Sequence, residues 1–233
     1  MTRLTDATGL MAFWADIEPD YVLRYQEWHN CEHVPERVSI PGFLRGRRYR
    51  VEDGAAHFLM MYETEAPEVL SSEPYLAALD APTDWTREAL THFRNPTRNI
   101  YRQIAATGRE LRFCAPWLIS LQFNRDEAPG EAEVAPWLQA MAGAQGIGRV
   151  QLWAVDEAVS GIQTSERKIY GGGPGDQKYL LLVEAEAPHP AASDSLAAAD
   201  AAAPEMSARQ NEVPGRFWLE IAHEDNRSEE ELA

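Results

Sequence analysis

Two histidines four residues apart, His29 and His33, stand in the segment Glu27-Trp-His-Asn-Cys-Glu-His-Val-Pro-Glu-Arg37, with Glu32 and Glu36 beside them. On a helix that spacing puts both imidazoles on one face. Such a pair can supply a general base and its orienting partner, because an imidazole takes and gives a proton near neutral pH. It can also bind a divalent ion if a third ligand arrives from elsewhere, or simply cap a helix end through hydrogen bonds and the helix dipole. No third ligand motif accompanies the pair, so the candidate catalytic residues are His33 and His29 and no metal is assigned.

A second cluster is cationic. Arg45, Arg47, Arg48 and Arg50 fall within nine residues. In a strand, Arg45 and Arg47 share one face with Phe43, Tyr49 and Val51, and Arg48 and Arg50 share the other with Leu44 and Gly46. One set must point inward, and a buried guanidinium needs a carboxylate or an anionic ligand as partner. Arg45 and Arg47 are therefore candidate substrate-binding residues. Trp14, Tyr49, His57 and Tyr101 join them as side chains able to line a pocket for a flat, hydrophobic ligand. His92, near a helix end, reads as structural. Asp16 ends a strand, where side chains often line pockets. Cys31 reads as a buried free thiol rather than a nucleophile. The run Gly171-Gly-Gly-Pro-Gly175 lacks the Gly-Lys-Ser/Thr ending of a phosphate loop and reads as flexible loop.

The elements that must position these residues follow from pattern. Apolar runs at 9–16, 43–52, 56–64 and 98–105 read as strands, and 20–38, 73–80 and 83–94 as helices. Pro35 should end or kink the first helix late. Asp53-Gly54 between two strand runs is a hairpin signal. The order is β-α-β-β-α-β. The second half reads the same way: strands at 115–123, 147–156, 178–187 and 215–222, helices at 130–144 and about 190–209, and a polar insertion at 157–177. The run His57–Pro67 aligns with Lys178–Pro188, with 5 of 11 positions identical. This predicts an α+β chain of two tandem ferredoxin-like (βαββαβ) repeats, 1–110 and 111–233, forming a pseudo-dimeric α+β barrel whose two sheets enclose a cavity.

Composition limits the partners. The chain has 233 residues, 45% of them hydrophobic, and a net charge of −16, a poor match to a nucleic-acid backbone. No apolar run is long enough to span a membrane, and the first residues lack a signal-peptide core. Two cysteines, Cys31 and Cys114, make no disulfide framework, so both are expected reduced and the chain cytoplasmic. The tail from Glu224 onward is acidic and reads as a mobile end.

The segment Glu27–Arg37, followed by Ile40-Pro-Gly-Phe43, resembles the first helix and turn of the dimeric α+β barrel superfamily, in its EthD-like form. The resemblance makes His33 the match to that family's characteristic histidine. It implies the fold closely and the reaction loosely, since that superfamily includes isomerases, cyclases, small monooxygenases, decarboxylases and haem proteins. The second-half helix, Val134-Ala-Pro-Trp-Leu-Gln-Ala-Met141, carries no histidine. The expected function is a cofactor-independent lyase, isomerase or decarboxylase acting on a small, oxygenated, anionic, hydrophobic or aromatic substrate. A ligand-binding or accessory protein of the same fold, and a haem-dependent enzyme, are the alternatives; a homodimer is left open.

Overall fold

The structure is a computed structural model describing residues 7–54, 56–109, 115–187 and 190–224. Eight strands close one antiparallel barrel: β1 (Gly9–Ile17), β2 (Phe43–Gly54), β3 (Phe58–Thr64), β4 (Phe93–Gly108), β5 (Trp117–Asn124), β6 (Ile147–Val155), β7 (Tyr179–Ala185) and β8 (Gln210–Glu224). Their order around the barrel is β1-β3-β2-β8-β5-β7-β6-β4.

The expectation of two tandem ferredoxin-like repeats with separate, face-to-face sheets is corrected by this closure. β4 has 16 residues and β8 has 15, so each is long enough to pair with two neighbours. β4 pairs with β1 along its first part and with β6 along its second. β8 does the same with β5 and β2. Closure removes the unpaired edges that two separate sheets would leave open. The likeness between 57–67 and 178–188 falls on β3 and β7, each buried along its whole length. A strand covered on both faces reads as a continuous apolar run wherever it occurs.

Alternation along the strands sorts side chains into three buried layers. The barrel interior holds Leu10, Ala12, Trp14, Tyr49, Leu59, Met61, Tyr101, Leu118, Trp153, Leu182 and Phe217. The outer face of the first half, with Met11, Phe13, Met60 and Tyr62, packs against helices through Tyr25, Trp28 and Tyr75. The outer face of the second half, with Leu121, Phe123 and Val183, packs against Val134, Trp137 and Met141. Each fully buried side chain of this kind contributes about 1.5–3 kcal/mol. The interior is thus largely filled by packed side chains, with open space left at one mouth beside Trp14 and Phe217.

Eight helices lie outside the barrel among the described residues: α1 (Val22–Trp28), α2 (Val34–Val38), α3 (Glu73–Asp80), α4 (Asp84–Leu90), α5 (Glu131–Ala142), α6 (Glu157–Ser160), α7 (Ser165–Tyr170) and α8 (Pro190–Ala202). The stretch 157–177 is therefore not featureless: Asp156 and Thr164 cap α6 and α7 through hydrogen bonds to Val159 N–H and Arg167 N–H. The Gly171–Gly175 run is not loose either. Arg98 N–H donates to the Gly173 carbonyl at 2.9 Å, and Gly175 N–H donates to Asn99 Oδ1 at 3.0 Å. Cys31 is exposed, not buried, because it lies on the solvent side of its helix. Cys114 and the tail beyond Glu224 lie outside the described residues. No helix among the described residues is long and apolar enough to cross a membrane.

Candidate functional site

The histidine helix is not a regular α-helix. Between α1 and α2, His29–His33 form a wider π-turn, in which Val34 N–H donates to the His29 carbonyl five residues back. Pro35 follows at once and has no N–H of its own to donate, so the ladder is already interrupted here. Single π-turns inside α-helices are frequent at functional sites. In this one both imidazoles turn inward, with ring centroids 5.7 Å apart.

They enter a narrow cleft between the helices and the outer face of the first-half sheet, walled by Met11, Phe13, Trp28, Met60, Leu79 and Phe93. His29 Nε2 shares a hydrogen bond of 3.3 Å with the Tyr62 hydroxyl. His33 lies against Trp28, centroid to centroid at 4.3 Å. Nδ1 of each histidine is buried without a partner, an expense a purely structural histidine normally avoids. Burial holds both imidazoles well below their usual pKa; the Arg48 charge adds to this at His29, and Arg37 and His29 add to it at His33. Both rings are therefore neutral at pH 7. Burial also drives the Tyr62 hydroxyl well above 10, so it keeps its proton.

Charge reaches the cleft in pairs. Arg37, one turn beyond His33, forms an ion pair with Glu166, and both are buried. Burial raises the Glu166 carboxyl, with Arg37 opposing that rise. Arg98 Nη2 donates to the Tyr75 hydroxyl at 3.0 Å. Glu166, Thr164 and Tyr170 all arrive on or beside α7 and line the cleft. None of the three was among the sequence-derived candidates. Their signal was local: Thr164 as a helix cap, followed by Glu166, Ile169 and Tyr170 at helical spacing.

The sheet divides the sequence-derived site. His29 and His33 lie on its outer face, whereas Trp14, Tyr49, Tyr101, Arg45 and Arg47 lie inside the barrel. A bulge between Phe43 and Arg45 decides this. Phe43 does not share a face with Arg45 as strict alternation predicts; it points to the helix layer against Tyr75, at 5.1 Å between centroids. Arg45 Nε instead donates to Glu63 Oε2 at 2.6 Å, and Arg47 Nη1 to Glu184 Oε1 at 2.8 Å. The two arginines hold the Glu63 carboxyl down at about 2 against its burial. These guanidinia are matched by protein carboxylates and need no anionic ligand for balance. Arg48 and Arg50 point outward and share Glu220.

The remaining candidates are elsewhere. His57 sits at the start of β3, partly exposed, 4.4 Å from the Phe58 ring. His92 stacks on Tyr21 at 3.8 Å and pairs with Glu18. Asp16 bridges backbone and loop, accepting from His57 N–H at 3.0 Å and Asn95 Nδ2 at 2.8 Å.

No protein-family model matches the chain, and no curated protein matches it closely enough to count as a relative. Solved structures do share its architecture over nearly the whole length. An anthrone oxidase-like protein matches with a TM-score of 0.60 at 7% identity, covering 95% of this chain and 94% of the other. A putative monooxygenase from Fusobacterium nucleatum subsp. nucleatum matches at 0.58 and 9%, covering 94% and 95%. A mutant chlorite dismutase from Candidatus Nitrospira defluvii, in complex with cyanide, matches at 0.53 and 12%, covering 92% of each. The chain has the dimeric α+β barrel fold.

Within this dimeric α+β barrel, the cleft beside His29 and His33 does not fit a haem as folded. The free space beside His29 and His33 is about 30 Å³, roughly that of one water molecule. The helix α5 of the second half has no histidine to ligate iron. Among the described residues, no three His, Cys, Asp or Glu side chains converge to hold a metal ion.

Proposed function

We propose that the histidine cleft is the active site of a cofactor-independent enzyme that moves a proton on a small, ring-bearing, enolisable or phenolic substrate. The observation that carries this reading is the set His29, His33 and Tyr62: two neutral imidazoles with unpartnered buried nitrogens beside a hydroxyl that keeps its proton. His33 makes no hydrogen bond with any described residue, so its ring is free to accept a proton from substrate. The Tyr62 O–H then donates to the oxygen on which negative charge develops, while His29 Nε2–H donates to the Tyr62 oxygen.

Electrostatics explains how so weak a base can work. A proton on His33 alone would be an unpaired buried charge and costly. A proton on His33 beside a substrate enolate is half of an ion pair in low dielectric, and each charge stabilises the other. Arg37 and Arg98 add positive field on the same side, with Arg37 already tethered by Glu166. Aromatic walls suit a flat ring.

Entry requires motion, because the free space holds little more than a water. The movable part is α7, a helix of 6 residues whose first N–H is held by Asp80 Oδ1 at 2.8 Å. The protonated outcome is isomerase- or lyase-type chemistry. A second reading rests on the fold shared with proteins described as a putative monooxygenase and as anthrone oxidase-like. In that reading the enolate of this chain's substrate reacts with dioxygen, converting a methylene and O₂ into a carbonyl and water. Both readings are tested on an aryl ketone such as indanone, by α-proton exchange in D₂O followed by NMR and by oxygen uptake in parallel. Exchange without uptake supports the first reading, uptake the second, and neither above buffer overturns both.

A further inference from the structure

On the other side of the sheet, the barrel opens at one mouth into a cavity of about 290 Å³. Two aromatic side chains, Trp14 and Phe217, line it. So do Ser120 and Gln122, which alternate onto the inner face of β5 and are 1% and 7% exposed. Neither side chain has a hydrogen-bond partner among the described residues. Both polar groups open onto the cavity, where a ligand can pair with them. Gly215 contributes a gap: a Cβ there would lie 2.9 Å from Ser120 Oγ and 2.6 Å from the Phe217 ring. The missing side chain keeps the space between the hydroxyl and the ring open.

The lining also excludes ligand classes. Asp176, exposed at the rim, is the one ionisable side chain among the described lining residues. An anion finds no cation here, and a cation finds a single exposed carboxylate. At about 30 Å³ per water-sized atom, the cavity accommodates about ten non-hydrogen atoms. Aromatic walls favour a planar ring. A carboxamide offers a donor and an acceptor side by side, and pairs in bidentate fashion with a ring edge that carries the same two groups, as glutamine does with adenine. Water would satisfy Ser120 and Gln122, but water does not select two aromatic walls.

We propose that the barrel mouth is a second binding site, separate from the histidine cleft, for a neutral planar heteroaromatic ring with adjacent hydrogen-bond donor and acceptor, the edge chemistry of a nucleobase. Gln122 reads that edge, Ser120 adds one hydrogen bond, and Trp14 and Phe217 hold the ring.

The test uses the full chain with adenine as the probe, indole as a ring lacking the edge and glucose as a polyol lacking the ring, followed by calorimetry. Adenine should bind at least tenfold tighter than either. Gln122→Leu should weaken adenine at least tenfold while leaving Tm within about 2 °C of the parent's, since no partner in the fold is lost. A His33→Ala variant should bind adenine as the parent does, which separates this site from the cleft. The proposal is overturned if adenine fails to bind, if indole or glucose binds as tightly, or if Gln122→Leu leaves adenine affinity intact. It is also overturned if Gln122→Leu lowers Tm by several degrees, because Gln122 would then be a structural residue.

Discussion

Glu166 reaches from the second half of the chain, with Thr164 and Tyr170 beside it, to ion-pair with Arg37, one turn beyond His33, inside a cleft whose other lining residues come from the first half. The site is therefore assembled across the chain, with α7 as its outer wall. Glu166→Ala leaves the Arg37 charge buried with only the more exposed Glu36 nearby, at 3.4 Å. Breaking a buried pair from one side costs about 3–5 kcal/mol. Global stability should fall by that order. Amide exchange at Thr164–Tyr170 should accelerate more than at α5, which measures whether α7 loosens first. Uniform acceleration across both helices would contradict its role as a separable wall.

Acid sensitivity follows from the two neutral imidazoles. In the unfolded chain they titrate near 6.5, and in the fold they titrate well below it. Between those values the unfolded state holds protons that the folded state does not. Stability is thus fully present above about 6.5 and is lost as pH falls below it, with a slope approaching about 1.4 kcal/mol per pH unit for each histidine. Urea unfolding over this range should show the slope, and His33→Gln should remove about half of it. Glu63 acts in a different window. Its carboxyl is held down at about 2, so its contribution begins to fade only as pH drops below its ordinary value of 4.5.

The charged layer inside the barrel should behave as structure. Glu63→Gln strips one carboxylate from between Arg45 and Arg47 and should cost about 3–5 kcal/mol in thermal or urea unfolding. Glu88→Gln, at a half-exposed pair with Arg24, should cost far less, because solvent screens that pair. Equal losses would mean that the interior pair is as solvent-screened as the surface one.

How far the sequence reveals this arrangement depends on the range of the interactions involved. Strands and helices were legible because alternation and helical spacing are local: β1, β2, β6 and α5 fall close to their expected bounds. His29 and His33 were legible as a pair because four residues return to the same helix face. Closure of the barrel was not, since it depends on β4 and β8 running on to meet strands of the other half, and nothing local marks that. The face of Arg45 was misjudged at Phe43 because one bulge shifts the alternation. Glu166 was missed because its partner Arg37 lies 129 residues away in sequence. The need of a buried arginine for a carboxylate was evident; which carboxylate answered it was not.

Tyr62→Phe separates the hydroxyl from the ring. The ring keeps its packing, 6.1 Å from Phe43 between centroids, while His29 Nε2 loses its partner. Stability should fall by about 1–3 kcal/mol. Proton-exchange activity should fall by about 10²-fold, the loss associated with removing one donor to a developing oxyanion. Retained activity with lowered stability would reduce Tyr62 to a packing role.

The most direct test of the histidine cleft is the rate of α-proton exchange on indanone by the parent protein and by single alanine variants of His33, His29, His57 and His92, each checked for an unchanged Tm. A positioned acid–base group contributes about 10²–10⁴-fold. His33→Ala should lose about 10²-fold or more, His29→Ala less, and His57→Ala and His92→Ala almost nothing. Equal, small losses at all four positions would show that the π-turn histidines are structural and that the cleft does not carry the chemistry.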